Sequence, residues 1–148
     1  MNQKERKYPP NCFWVCIDDA EVDVKGRFYS PLLDGERRFV EFRQVILQMD
    51  ALFDRTGYPQ SFQEKRSFRS GSAPGAAYSG IPETETTYEE LQPCEGRIAT
   101  LDVAVISRRN ASWQGAVFSR EGEKLGEYDG EWGLIDIIQK YLQKLKGV

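Results

Sequence analysis

Val22-Asp23-Val24-Lys25-Gly26-Arg27-Phe28-Tyr29 alternates apolar or small residues with polar ones. Phe42, Val45, Ile46, Met49, Leu52 and Phe53 then follow at i, i+3, i+4, i+7 spacing. The first period is that of a half-buried strand and the second that of an amphipathic helix. Upstream, Phe13-Trp14-Val15-Cys16-Ile17 is a short apolar run closed by the polar cluster Asp18-Asp19-Ala20-Glu21, so the two runs read as a β-hairpin. Ser30-Pro31 and Asp34-Gly35 make the next turn, Arg37 to Val40 reads as a third strand, and Gly57 stands where the helix should stop.

The same order recurs downstream. Leu101, Val103 and Val105 mark one face of a strand from Ile98 to Ile106, and Arg108-Arg109-Asn110-Ala111 reads as a polar turn. Ser112 to Ser119 is a strand that places Trp113 on the core face, and Leu125 to Tyr128 is a third strand. Asp129 is the expected N-cap of a helix from Trp132 to Leu145. Gly26, Phe28, Tyr29 and Ser30 fall on Gly115, Val117, Phe118 and Ser119 at an offset of 89. Val45, Ile46, Met49, Leu52 and Phe53 fall on Leu134, Ile135, Ile138, Tyr141 and Leu142 at that same offset. The third turn slips by two residues, and the first strands also need a small slip.

Two helices with apolar stripes need a dry surface, and a shared sheet supplies one. The expected fold is therefore α+β: an antiparallel sheet of about six strands from two βββα halves, with both helices on one face. A chain of 148 residues is the size of one domain. It divides into a first half (9–57), a connecting segment that is basic, then flexible, then acidic (58–97), and a second half (98–148).

Composition narrows the chemistry. With no histidine, Ser-His-Asp and Cys-His arrangements and imidazole acid–base work are excluded. Cys12, Cys16 and Cys94 are an odd number without framework spacing and are expected as free thiols in a cytoplasmic protein. On a strand, Cys12 and Cys16 would sit about 13 Å apart on one face, too far to share a metal. The acidic group Asp18, Asp19, Glu21 and Asp23 lacks the spacing and central glycine of a calcium loop and reads as a solvated turn. No cofactor and no metal are expected. Nothing approaches the ~20 apolar residues of a membrane span, and a net charge of −3 gives no global attraction for nucleic acid.

Two surfaces stand out as binding candidates. Gly57 to Arg69 sets Tyr58, Phe62 and Phe68 among Lys65, Arg66 and Arg69, a mixture suited to stacking or to filling a pocket on another protein. Arg108, Arg109 and Asn110 form the second. The strings Gly57-Tyr58-Pro59-Gln60-Ser61-Phe62-Gln63-Glu64-Lys65-Arg66-Ser67-Phe68 and Asn110-Ala111-Ser112-Trp113-Gln114-Gly115 together resemble a family of small, functionally uncharacterised cytosolic proteins from anaerobic Gram-positive gut bacteria. The resemblance implies a bacterial or phage-borne protein and the same element order, and it transfers no catalytic residue.

Three functions are open on this reading. The first is a non-catalytic binding or regulatory module that acts through protein contacts. The second is a nucleic-acid binder using the local arginine and aromatic patch, and the third is a metal enzyme using the Asp18 cluster. The first is favoured, and the oligomeric state is not legible.

Overall fold

A computed structural model describes residues 7–57, 86–109 and 112–147. Its elements run β1 (Cys12–Asp19), β2 (Lys25–Tyr29), β3 (Arg37–Phe39), α1 (Phe42–Thr56), α2 (Tyr88–Leu91), β4 (Ala99–Arg109), β5 (Ser112–Ser119), β6 (Lys124–Asp129) and α3 (Glu131–Gly147). The strands form one antiparallel sheet in the order β3-β2-β1-β4-β5-β6, with β1 and β4 joining the halves at its centre. This is the α+β architecture that the two periodicities predict.

Alternation sorts the side chains to two faces. Phe13, Val15 and Ile17 of β1 and Leu101, Val103 and Val105 of β4 join the apolar stripes of α1 (Val45, Met49, Phe53) and α3 (Leu134, Ile138, Leu142) in one core. Both helices thus share one side of the sheet. Cys12, Trp14, Cys16 and Ala104 point the other way and pack under Tyr8 and Leu91. The second face is roofed by the residues flanking α2: Thr86 accepts the Tyr8 N–H at 2.8 Å, and Thr87 and Glu90 close a reciprocal capping box around the helix start.

The halves repeat one another in detail. Gly26 in β2 faces Ile17 and Phe39, while Gly115 in β5 faces Val105 and Tyr128. A β-carbon on Gly26 would lie 1.9 Å from the Cys16 carbonyl oxygen, and one on Gly115 would lie 1.9 Å from that of Ala104. Each glycine therefore lets two strands approach closely. On the Gly115 side, Tyr128 crosses the gap and donates its hydroxyl to the Ala104 carbonyl at 2.7 Å. Beside each glycine the first strand of its half carries a β-bulge, between Ile17 and Asp19 in one and between Val105 and Ser107 in the other. The offset is 88 in the first strands. It is 89 through β2 and β5, and Arg37 to Phe39 keep that same offset onto Gly126 to Tyr128. The slip of the third turn is confined to the turn itself.

Several boundaries differ from the sequence expectation. Val22 is 88% exposed and lies before β2, because the bulge and an Asx turn (Asp19 Oδ1 accepting the Glu21 N–H at 3.0 Å) delay the start of pairing to Lys25. Asp129 does not cap α3. It ends β6 and accepts from Gln114 Nε2, while the carbonyl of Gly130, at φ 96, takes the first helical N–H from Leu134. Gly57 ends α1 as expected, at φ 82 with its N–H on the Phe53 carbonyl.

Gly26→Ala and Gly115→Ala should each lower the unfolding free energy by about 3 kcal/mol in urea titrations, since backbone must move to admit the methyl. Gly126→Ala, whose added carbon meets only the flexible Ile137 side chain at 3.1 Å, should cost clearly less.

Candidate functional site

The two ends of the helix-bearing face are counterparts under the internal repeat, and they are filled differently. At one end the bulge at Ile106 inverts the facing of β4, so that Arg108 points under α1 rather than outward. Arg108 is 3% exposed. Its Nη1 donates to Asp54 Oδ1 at 2.8 Å and Asp50 Oδ1 at 3.2 Å, and its guanidinium lies 5.7 Å from the centre of the Phe53 ring. Trp113 Nε1 donates to the same Asp50 oxygen at 2.9 Å. A buried cation, two carboxylates and an indole close this end.

Applying the repeat offsets to the other end, Arg108 becomes Ala20, Trp113 becomes Val24, Asp50 becomes Gln139, Phe53 becomes Leu142 and Asp54 becomes Gln143. Those five residues all line one open groove of about 1120 Å³ between the β1–β2 turn and the last turns of α3. The groove exists because an alanine and a valine stand where an arginine and a tryptophan would fill the space. Its rim is apolar as well: Val22, Ile98 (44% exposed) and Leu145 (43% exposed) all border it. Carboxylates line its turn side. Asp18 is committed, since Arg27 Nε donates to it at 3.2 Å and the Arg97 backbone N–H at 2.9 Å. Partial burial pulls the Asp18 pKa up, but those two donors outweigh it and hold the group below the ordinary range. Asp19 and Glu21 have no ion-pair partner among the described residues.

The second face holds a buried acid. Tyr8 donates to Asp102 Oδ1 at 2.5 Å, both groups are buried, and the Tyr8 ring packs edge-on against Trp14 and Tyr88. Burial pushes the Asp102 carboxyl up to about 6, with the Tyr8 hydroxyl pulling it back. Burial and the Asp102 charge raise the Tyr8 hydroxyl in turn. Cys12, deep in the same layer, is raised mainly by burial, and burial pushes Cys16 up to about 12. Neither thiol is therefore poised as a nucleophile. Trp14 Nε1 donates to the Cys94 carbonyl at 2.9 Å, tying the segment after α2 to the sheet.

Of the binding residues expected from sequence, Tyr58, Phe62, Lys65, Arg66, Phe68, Arg69 and Asn110 lie outside the described residues. Arg109 is described through its backbone, which pairs with Ser112. Arg108, expected at an exposed polar turn, is corrected to a buried ion cluster: β4 runs on through Arg109, and its bulge turns the side chain inward. The groove was not anticipated. The adjacent apolar pair Val105-Ile106, which breaks the alternation of β4, was the signal for the bulge that reveals it. No group of three or more histidine, cysteine, aspartate or glutamate side chains could hold a metal ion among the described residues, and no described helix is long and apolar enough to cross a membrane. No family model, curated protein or solved structure matches the chain.

Arg108→Ala leaves the Asp50 carboxylate without its cation and should cost about 3 kcal/mol, whereas Asp54→Ala, at a side chain 67% exposed, should cost under about 1 kcal/mol; both are read from urea midpoints. Because folding raises the Asp102 pKa above its ordinary 3.8, the native state holds that proton more tightly. The contribution of this group is therefore lost as pH rises from about 4 to 6. Asp102→Asn keeps the acceptor for Tyr8 and should be more stable than the parent by about 2–3 kcal/mol at pH 7 and above. The gain should vanish near pH 4 in a pH series of urea titrations.

Proposed function

We propose that this protein is a non-catalytic binding module that acts through protein contacts made at the groove between the β1–β2 turn and α3. The observation carrying this reading is the unequal filling of two equivalent ends: one is closed by Arg108 and Trp113, while the other is left open by Ala20 and Val24 and rimmed with exposed Val22, Ile98 and Leu145. Exposed apolar side chains gathered at one concavity favour association with a protein surface. A site this open also suits a polypeptide segment better than a small molecule, because pockets for small ligands enclose most of the ligand surface. Nucleic-acid binding draws less support, since Arg108, one of the cations it would use, is spent on Asp50 and Asp54.

The test uses Val22→Glu and Leu145→Glu, both at exposed positions where the fold should survive. Proteins retained by the parent chain from its native lysate would be identified, purified and titrated against parent and variant by calorimetry. Each substitution is expected to weaken a direct complex at least tenfold. Complexes indifferent to both variants, or binding to single-stranded RNA or DNA that falls steeply with salt and ignores them, would overturn the reading.

A further inference from the structure

We infer that the occupant of the groove is a segment of another protein carrying an arginine or lysine flanked by apolar residues, with its cation lodged where Arg108 lies at the opposite end of the sheet. The inference deepens the binding-module reading and rests on it. The chain itself displays the mode of filling. At the closed end a guanidinium lies across the last turns of a helix, over Phe53 and against two carboxylates. At the open end the helix offers Leu142 in place of Phe53, and Ala20 supplies no side chain to lie there. The equivalents of Asp50 and Asp54 are Gln139 and Gln143, which offer amide oxygens without charge. The missing negative charge stands across the groove instead, on the turn.

The carboxylates on the turn wall argue for a cationic occupant. The lining carries Asp18, Asp19 and Glu21 against Arg97 and Lys146. Asp18 is already paired with Arg27, so Asp19 and Glu21 are the carboxylates left to meet an incoming cation. The carbonyls that end α3 add partial negative charge on the helix side. Arg97 stands beside Asp18, to which its backbone N–H donates, and Lys146 stands on the α3 wall, so an occupant places its cation toward Asp19 and Glu21 and keeps neutral or acidic residues toward Lys146. Its apolar flanks cover Val22, Ile98 and Leu145, which water otherwise wets.

The experiment pans a phage-displayed random dodecapeptide library against the full chain, after depletion on the Ala20→Arg chain, whose own side chain should fill the groove. Enriched sequences, made as fluorescent synthetic peptides, are expected to carry an arginine or lysine between apolar residues and to weaken with added salt. Asp19→Asn with Glu21→Gln removes the facing charges at positions that are not buried while keeping the Asx-turn acceptor, and it should weaken those peptides about fivefold to tenfold. This pair keeps the test sound should Ala20→Arg fold poorly. Peptides that lose binding in Val22→Glu but carry no cation, or that ignore the charge-neutralised pair, would overturn the inference and leave the binding-module reading standing. Failure to enrich any peptide sensitive to Val22→Glu, or a Val22→Glu-sensitive dimer of the chain in sedimentation, would overturn both.

Discussion

The ladder between β1 and β4 is the constraint on which everything else hangs. Its register, from Cys12 opposite Ala104 to Ile17 opposite Ala99, lays Phe13, Val15 and Ile17 beside Leu101, Val103 and Val105. Each half alone would set one helix on three strands. Joined at the centre, the halves pool one core. Trp113 of the second half packs against both Phe13 and Phe53 of the first, at 6.0 and 5.7 Å between ring centres. A one-residue shift of this ladder would turn every one of those side chains to the wrong face.

Because the ladder relates like to like, each half inherits the same local devices. A glycine admits a neighbouring carbonyl, an aromatic residue on the edge strand stands opposite it in register, and a bulge next to it inverts the facing of the strand beyond. The bulge matters most. It turns Ala20 and Arg108 toward the helices rather than away from them, and these two residues decide whether the space beyond is open or shut. The second sheet face obeys no such repeat. There Tyr8 and α2 cover Trp14, Cys16 and Asp102 in one asymmetric layer, and the asymmetry buries a carboxylate next to a hydroxyl rather than a cation.

Much of the fold was legible in the sequence because it is written in short-range periods. Alternation marked the strands, 3.6-residue spacing marked α1 and α3, and the offset of 89 marked the repeat. What was hidden depends on single residues or on distant partners. A bulge is one extra residue, invisible to a period-two pattern except where two apolar residues adjoin, as Val105 and Ile106 do. That hidden residue misassigned Arg108 to a turn and concealed the equivalence of Ala20 with it. The Tyr8–Asp102 bond spans most of the chain, and no local pattern announces it. Of the candidate site, the sequence shows the acidic turn at Asp18 to Glu21, while the wall of α3 facing it is set by tertiary packing alone.

An arginine buried under a helix needs counter-charges, and Asp50 and Asp54 supply them at the closed end. Where alanine replaces that arginine, the same carboxylates would be a liability, since they would repel one another one helical turn apart with no cation between them. Gln139 and Gln143 stand there instead, so the helix side of the open end is neutral. If the groove were merely a place where packing was lost, nothing would require acids on its other wall or apolar side chains on its rim. Asp19, Glu21, Val22, Ile98 and Leu145 are arranged around it nonetheless. Compared with the closed end, the open end lacks the large filler, carries the neutral amides of Gln139 and Gln143 where the counter-charges would stand, and sets Asp19 and Glu21 on the opposite wall.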